Sequence, residues 1–348
     1  MFRYLLFISY GLFWVSGGVA AQPPSTSAAL KAAYAMSQNA KTEAEYTLVI
    51  DQIRQQDLAS AAPEVRQYGE HLLAWALNRR GEVRWDSMQQ PDDANATAAI
   101  EDFRESLKFD PSRWRAKQNM AFVYATRGQL KESLQLFDEV IETKPDHANA
   151  YFNRGELRYE LQNWEAALAD YDRAIALQPG EADFYTSRGH TRYQLGRIDS
   201  AIEDYQTAYR IDAGDPLRAI DLADGLQNAG QWGRAAETYR TAIRLDGGNL
   251  RAQLNLAWLL STCPDGSIRN ASQALQIIQN LKEIPEAEQF RYIDTYAAAL
   301  AEAGQFQEAV RVAQTGTNIV PESERAGFEA RRAMYEANQR FRQQPAKN

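Results

Sequence analysis

Between residues 148 and 249, apolar positions recur at helical spacing in short paired blocks, and the paired pattern is written three times. In the first copy the blocks cover 151–161 and 164–177, with Gln162 and Asn163 at the break. The later copies break at Leu195-Gly196 and Ala229-Gly230. Gly155, Gly189 and Ala223 stand 34 residues apart. So do Ala167, Ala201 and Ala235, then Tyr171, Tyr205 and Tyr239, and then Ala174, Ala208 and Ala242. A fixed period of this length marks stacked supersecondary units. Each unit is predicted to be a helix hairpin. Glycine at the break suits the left-handed residue that ends a helix. Pro179 closes the first copy, because it lacks an N–H and its ring blocks further helix. Small residues let the two helices approach, and tyrosine fills the gap beside them. No such hairpin can bury its apolar stripe alone; its neighbours must do so.

This spacing resembles the tetratricopeptide repeat, with small residues at repeat positions 8, 20 and 27, an aromatic residue at 24 and proline near 32. The likeness extends outward. Ala121, Gly128, Phe137 and Pro145 set a unit at 114–147, and Ala297, Gly304, Ala309 and Pro321 set one at 290–323. Two units are stretched. One holds Gly81, Ala99, Phe103 and Pro111; the other holds Ala257, Ala274 and Ile278, with extra residues around Cys263-Pro264-Asp265-Gly266. The resemblance therefore implies an all-α, right-handed superhelical solenoid of about seven hairpins. They fall at 74–113, 114–147, 148–181, 182–215, 216–249, 250–289 and 290–323.

The flanks are off-period. Residues 1–21 read as a secretory signal: Arg3 gives a thin positive region, an apolar core follows, and Val19-Ala20-Ala21 puts small residues at the cleavage positions. The apolar run is shorter than the roughly 20 residues a spanning helix needs. A membrane partner is expected only if this segment stays uncleaved, and the mature chain is expected to be exported, periplasmic or secreted. Residues 22–73 should form an irregular helical cap, with helical spacing at 28–36 and 45–53. Residues 324–348 should form a C-terminal capping helix over 325–341, with Phe328, Met334, Tyr335 and Phe341 on its apolar side, followed by a disordered 343–348.

Charge narrows the partner. The formal net charge is −8 without a basic cluster, so nucleic acid is an unsuitable partner. A single cysteine forbids an intrachain disulfide, which leaves stability to stacking. Three units carry Arg-Gly-x-x-Arg in the first helix, at Arg80 with Arg84, Arg154 with Arg158, and Arg188 with Arg192. The same three carry an acid in the second helix, at Asp102, Asp170 and Asp204. The other units place Met120, Leu222, Leu256 and Tyr296 at the first arginine position and Leu136, Thr238, Ile277 and Val312 at the acid position. Arginines four apart share a helix face and need a counter-ion, and a planar guanidinium suits a facing carboxylate. The triplets are expected to be structural ion pairs, with the glycine giving the arginines room to fold inward. One Asp per two arginines also leaves open a row that binds phosphate or acidic polysaccharide during envelope assembly.

In the family resembled here, first-helix positions 2, 5, 9, 12 and 13 face a groove. Carried onto this chain, they give candidate partner-binding residues Trp75, Trp85, Phe122, Phe152, Glu156, Tyr159, Glu160, His190, Tyr193 and Trp258. Acids also fall there at Glu82, Asp86, Asp183, Asp224, Asp294 and Glu302, against Arg115, Arg251 and Arg291. Rings among acids suit a protein or peptide with basic or aromatic side chains. Gln118 and Phe122 stand where the family's carboxylate clamp would begin, which disfavours that mode. The catalytic inventory is poor. His71, His147 and His190 lie in different units without metal-ligand spacing, and Cys263 has no histidine near it in sequence. Residues 256–265 resemble a segment of exported bacterial tetratricopeptide-repeat proteins that is structural there. No cofactor or metal motif occurs. Asn95 and Asn270 head glycosylation acceptor triplets in the stretched connections. The expectation is a non-catalytic interaction scaffold; a thiol-dependent hydrolase would need Cys263.

Overall fold

In the computed structural model, residues 27–87, 94–281 and 283–345 are described. The signal segment at 1–21 therefore lies outside the described residues, as do 88–93 of the first stretched connection and the end of the tail at 346–348. Among the described residues every regular element is helical. The chain divides into two compact units, Met1–Pro179 and Gly180–Asn348. The first holds α1 (Ala28–Ser37), α2 (Glu43–Arg54), α3 (Pro63–Asp86), α4 (Ala94–Phe109), α5 (Trp114–Thr126), α6 (Leu130–Thr143), α7 (Ala148–Glu160) and α8 (Trp164–Leu177). The second holds α9 (Ala182–Gln194), α10 (Ile198–Ile211), α11 (Pro216–Asn228), α12 (Trp232–Leu245), α13 (Leu250–Thr262) and α14 (Ala271–Asn280). A 3₁₀ turn at Glu286–Glu288 then leads to α15 (Gln289–Glu302), α16 (Phe306–Gly316) and α17 (Glu322–Glu336).

Within each unit consecutive helices pack as antiparallel hairpins, and each hairpin covers the stripe of the next. The turn residues are left-handed at Gly128, Gly196, Gly230 and Gly304, with φ between 72° and 80°, and at Gln162, with φ of 58°. At the latter the Asn163 N–H reaches back to the Arg158 carbonyl over 2.8 Å, closing the helix end. Ala99, Ala167, Ala201, Ala235, Ala274 and Ala309 are fully buried, and beside them lie Phe103, Phe137, Tyr171, Tyr205 and Tyr239, each at most 4% exposed. Burying one such ring contributes on the order of 2–3 kcal/mol, repeated at every step of the stack.

The repeat glycines have a different cause from the one expected. A Cβ on Gly81, Gly155 or Gly189 would sit 2.6–2.7 Å from the ring of Phe103, Tyr171 or Tyr205. The missing side chain makes room for the aromatic residue of the second helix and not for the arginines.

The ends also depart from expectation. The 24-residue α3 starts at Pro63 and runs unbroken across residues 73 and 74, where the first repeat was to begin. Proline at its first position is tolerated because that N–H has no intrahelical partner. Helix α17 stops at Glu336, short of the expected 341, because Asn338 adopts φ of 56° and the Gln339 N–H closes onto the Met334 carbonyl at 2.7 Å. Of residues 343–345, expected to be disordered, Gln343 is buried, while Gln344 and Pro345 are exposed. Of the acceptor triplets, Asn95 is in the first turn of α4 and not in the connection, while Asn270 ends its connection and caps α14 by accepting from the Gln273 N–H at 2.9 Å.

Candidate functional site

The three charged triplets close in the same way. Asp170 accepts two bonds from Arg154, Nε at 3.0 Å and Nη2 at 2.6 Å, and one from Arg158 at 2.7 Å. Asp102 holds Arg80 at 3.0 and 2.7 Å and Arg84 at 2.9 Å. Asp204 holds Arg188 at 3.0 and 2.6 Å and Arg192 at 2.8 Å. All three carboxylates are 2% exposed. One Asp therefore engages both arginines. The spare charge goes elsewhere: Arg154 to Asp138 at 2.7 Å and Arg84 to Glu43 at 2.9 Å. The guanidinium groups are turned into the hairpins, so the row of free cations that an anion would need is not there.

Of the ten partner-binding candidates, seven lie in the first unit. Phe152 is corrected outright: at 1% exposure, packed on Tyr171, it is core. Trp75 sits edge-on to Tyr46, Trp85 packs against the core of α4–α6, and Phe122 sits edge-on to Phe137. Glu156 accepts the Tyr171 hydroxyl at 2.7 Å, Tyr159 is half-buried and Glu160 is exposed.

In the second unit the other three converge. His190, Tyr193 and Trp258 line one open cleft of about 710 Å³, walled by α9, α11, α13, α15 and α17. The hairpin register explains its floor. The buried Tyr239 passes its hydroxyl through to Asp224 on the inner helix face, as Tyr171 does to Glu156. Asp224 also accepts from Asn255 at 2.7 Å and from Arg251 at 2.5 Å, and Asn255 in turn accepts from Arg291 at 2.6 Å. Asp221 faces Arg251 at 3.2 Å and His190 at 3.6 Å, while Asp294 takes a two-pronged bond from Arg331 at 3.0 and 2.7 Å.

The acids expected to attract a basic partner are thus largely matched within the protein. Glu82 is held by Arg79, Asn78 and Asn119; Asp183 by Arg218; Glu302 by Arg269 and Arg342. Burial acts to raise the Asp221 carboxyl, but His190, Arg251 and Arg218 outweigh it and hold it below the ordinary carboxylate range. At Asp294 burial wins over Arg331 and the carboxyl is pushed up. Burial and Asp224 push the Tyr239 hydroxyl well up, so it stays a proton donor. The cleft is a fixed polar lattice edged by rings, suited to hydrogen-bonding a backbone. Cys263 is fully buried, and burial pushes its thiol up. A nucleophile needs the opposite shift.

Sequence reasoning passed over Asp221, Asn255 and Arg331. The first two carry a signal: they are the sixth residues of their hairpins, where Asn119, Asn153 and Ser187 also stand. Arg331 lies outside any repeat and had none. The tail was also missed. Phe341 packs at a 41° tilt against Trp258, ring centres 5.8 Å apart, and Arg331 lies over the Phe341 and Trp258 rings at 5.6 and 5.5 Å.

A family model described as the tetratricopeptide repeat matches residues 119–182, 152–216 and 220–260. The Hsp70-Hsp90 organizing protein of Triticum aestivum is 22% identical over 134 residues, covering 38% of this chain and 22% of that protein. Its counterpart in Arabidopsis thaliana is 23% identical over 108 residues, covering 31% and 18%. The chain therefore spans about a fifth of the length of these curated relatives. Among solved structures, that of Pseudomonas aeruginosa pilF superposes with a TM-score of 0.50 at 19% identity, covering 75% of this chain and 99% of that one. That likeness concerns the fold.

Proposed function

The chain is a tetratricopeptide-repeat protein, and we propose that it is a non-catalytic scaffold that seats a peptide segment of another protein in the cleft of its second unit. Tetratricopeptide-repeat proteins mediate protein–protein interaction, and the wheat and Arabidopsis relatives are by name organizing proteins of the Hsp70-Hsp90 pair. The observation that carries the reading is the convergence of His190, Tyr193 and Trp258 on one cleft where Asp221, Asp224 and Asp294 are already paired with cationic side chains. Pre-paired charges cost little further desolvation on binding, and a fixed ring offers area without loss of side-chain freedom. A buried, protonated Cys263 supports the non-catalytic part. The signal-like 1–21 stretch supports a site of action outside the cytoplasmic membrane, checked by fractionation and N-terminal sequencing of the mature chain.

Screening a displayed peptide library against the full chain should return binders. Trp258→Ala should weaken them about 30-fold, the loss of one anchor ring of about 2 kcal/mol, with the helical circular-dichroism signal unchanged. Unaltered binding by that variant would remove the cleft from the account.

A further inference from the structure

The strongest unassigned feature is how the chain's own end lies beside this cleft. Helix α13 stops before Cys263-Pro264, so its last carbonyls must find donors outside the helix. Two are served locally: the Leu260 carbonyl by the Asn270 N–H at 2.9 Å, and the Cys263 carbonyl by Arg269 at 2.8 Å. The two between them are served by the tail. The Gln343 backbone N–H donates to the Thr262 carbonyl at 3.0 Å, and the Arg342 guanidinium approaches the Ser261 carbonyl at 3.4 Å. The tail's side chains are read as well. Phe341 lies on Trp258, Arg342 pairs with Glu302 at 2.7 Å, and the Gln343 amide oxygen accepts from Gln227 at 3.1 Å. Pro345 rests against Gly230, where a Cβ would meet it at 3.1 Å.

Backbone donors given to a helix end, a ring on a ring and a cation on a carboxylate are what a groove offers an extended peptide. We propose that residues 341–345 are a built-in stand-in for a partner. The groove along the end of α13 would take an extended segment of another protein carrying an aromatic residue followed directly by arginine, and the tail must leave for it to seat. This deepens the proposed function and rests on it. Three observations favour exchange. The segment has no secondary structure and follows a left-handed turn at Asn338. It gives the groove one backbone hydrogen bond. Its fit is incomplete, because Gln343 Nε2 and Gln227 Oε1 are buried without a hydrogen-bond partner among the described residues.

The test uses the full chain and a labelled peptide of the tail's own sequence, residues 339–345, titrated by fluorescence anisotropy. Phe341→Ala/Arg342→Ala should bind the peptide at least ten-fold more tightly than the parent chain. A peptide with alanine for phenylalanine should not bind, and adding Trp258→Ala to the double variant should abolish binding. If the double variant loses helical signal, Arg342→Ala alone serves, with a several-fold gain expected. Equal affinity for parent and loosened chains would overturn the proposal. So would concentration-dependent self-association of the parent chain, since the groove would then exchange tails between copies. Library peptides that need Trp258 but ignore the tail substitutions would sink this inference while leaving the scaffold reading intact.

Discussion

At the scale of single residues, the repeated unit is a buried carboxylate shared by two arginines. Asp170→Ala would strip Arg158 of its carboxylate and leave Arg154 only the more exposed Asp138. The cost should be about 3 kcal/mol, the lower end for a broken buried pair, because Arg154 and Arg158 keep 15% and 25% side-chain exposure. Thermal melts check this, and no shift in midpoint would remove the ion pair from the stability argument. Gly155→Ala should cost about 1–3 kcal/mol by overpacking against Tyr171. Asp221 makes a pH-dependent contribution. Its folded carboxyl titrates below the ordinary range, so its stabilisation is complete at neutral pH and is lost as pH falls through that lowered value. Asp221→Asn should lower the melting midpoint at pH 7, and its deficit against the parent should shrink below about pH 4. The triplets could be read from the sequence because arginines and acid appear and vanish together, unit by unit. The role of the glycine could not, since it depends on how a ring tilts across a helix pair.

At the scale of elements, five hairpin turns use the same left-handed geometry, and one of them places glutamine where the others place glycine. Gln162→Gly should stabilise the chain by about 1 kcal/mol, the left-handed penalty less glycine's extra freedom when unfolded; denaturant titration measures it. Helix boundaries inside the periodic region could be read from the 34-residue register. Those outside it could not. Nothing periodic marks Pro63 as the start of α3, and the helix-favouring 325–341 pattern hides the Asn338 turn. The tail's polar Gln-Arg-Phe-Arg-Gln-Gln-Pro composition reads as solvated, because its partners are helix-end carbonyls some 80 residues earlier in the chain.

At the scale of the whole molecule, two compact units each carry their own stack of hairpins, and the chain has a net charge of −8. The fold was legible because period is a global property; the cleft was only half legible, because aromatic positions are set by register while ion pairing is set by packing. Long-range charge and local pairing should separate kinetically. For a basic peptide, stopped-flow association should slow several-fold between low and high salt, with dissociation changing little. Glu302 has a consequence of its own. One carboxylate, 13% exposed, meets Arg269 from the loop after α13 and Arg342 and Arg340 from the tail, at 2.9, 2.7 and 3.7 Å. Loop and tail are thus tied by a single knot, and substitutions at Glu302, Arg269 and Arg342 should show strong epistasis instead of adding.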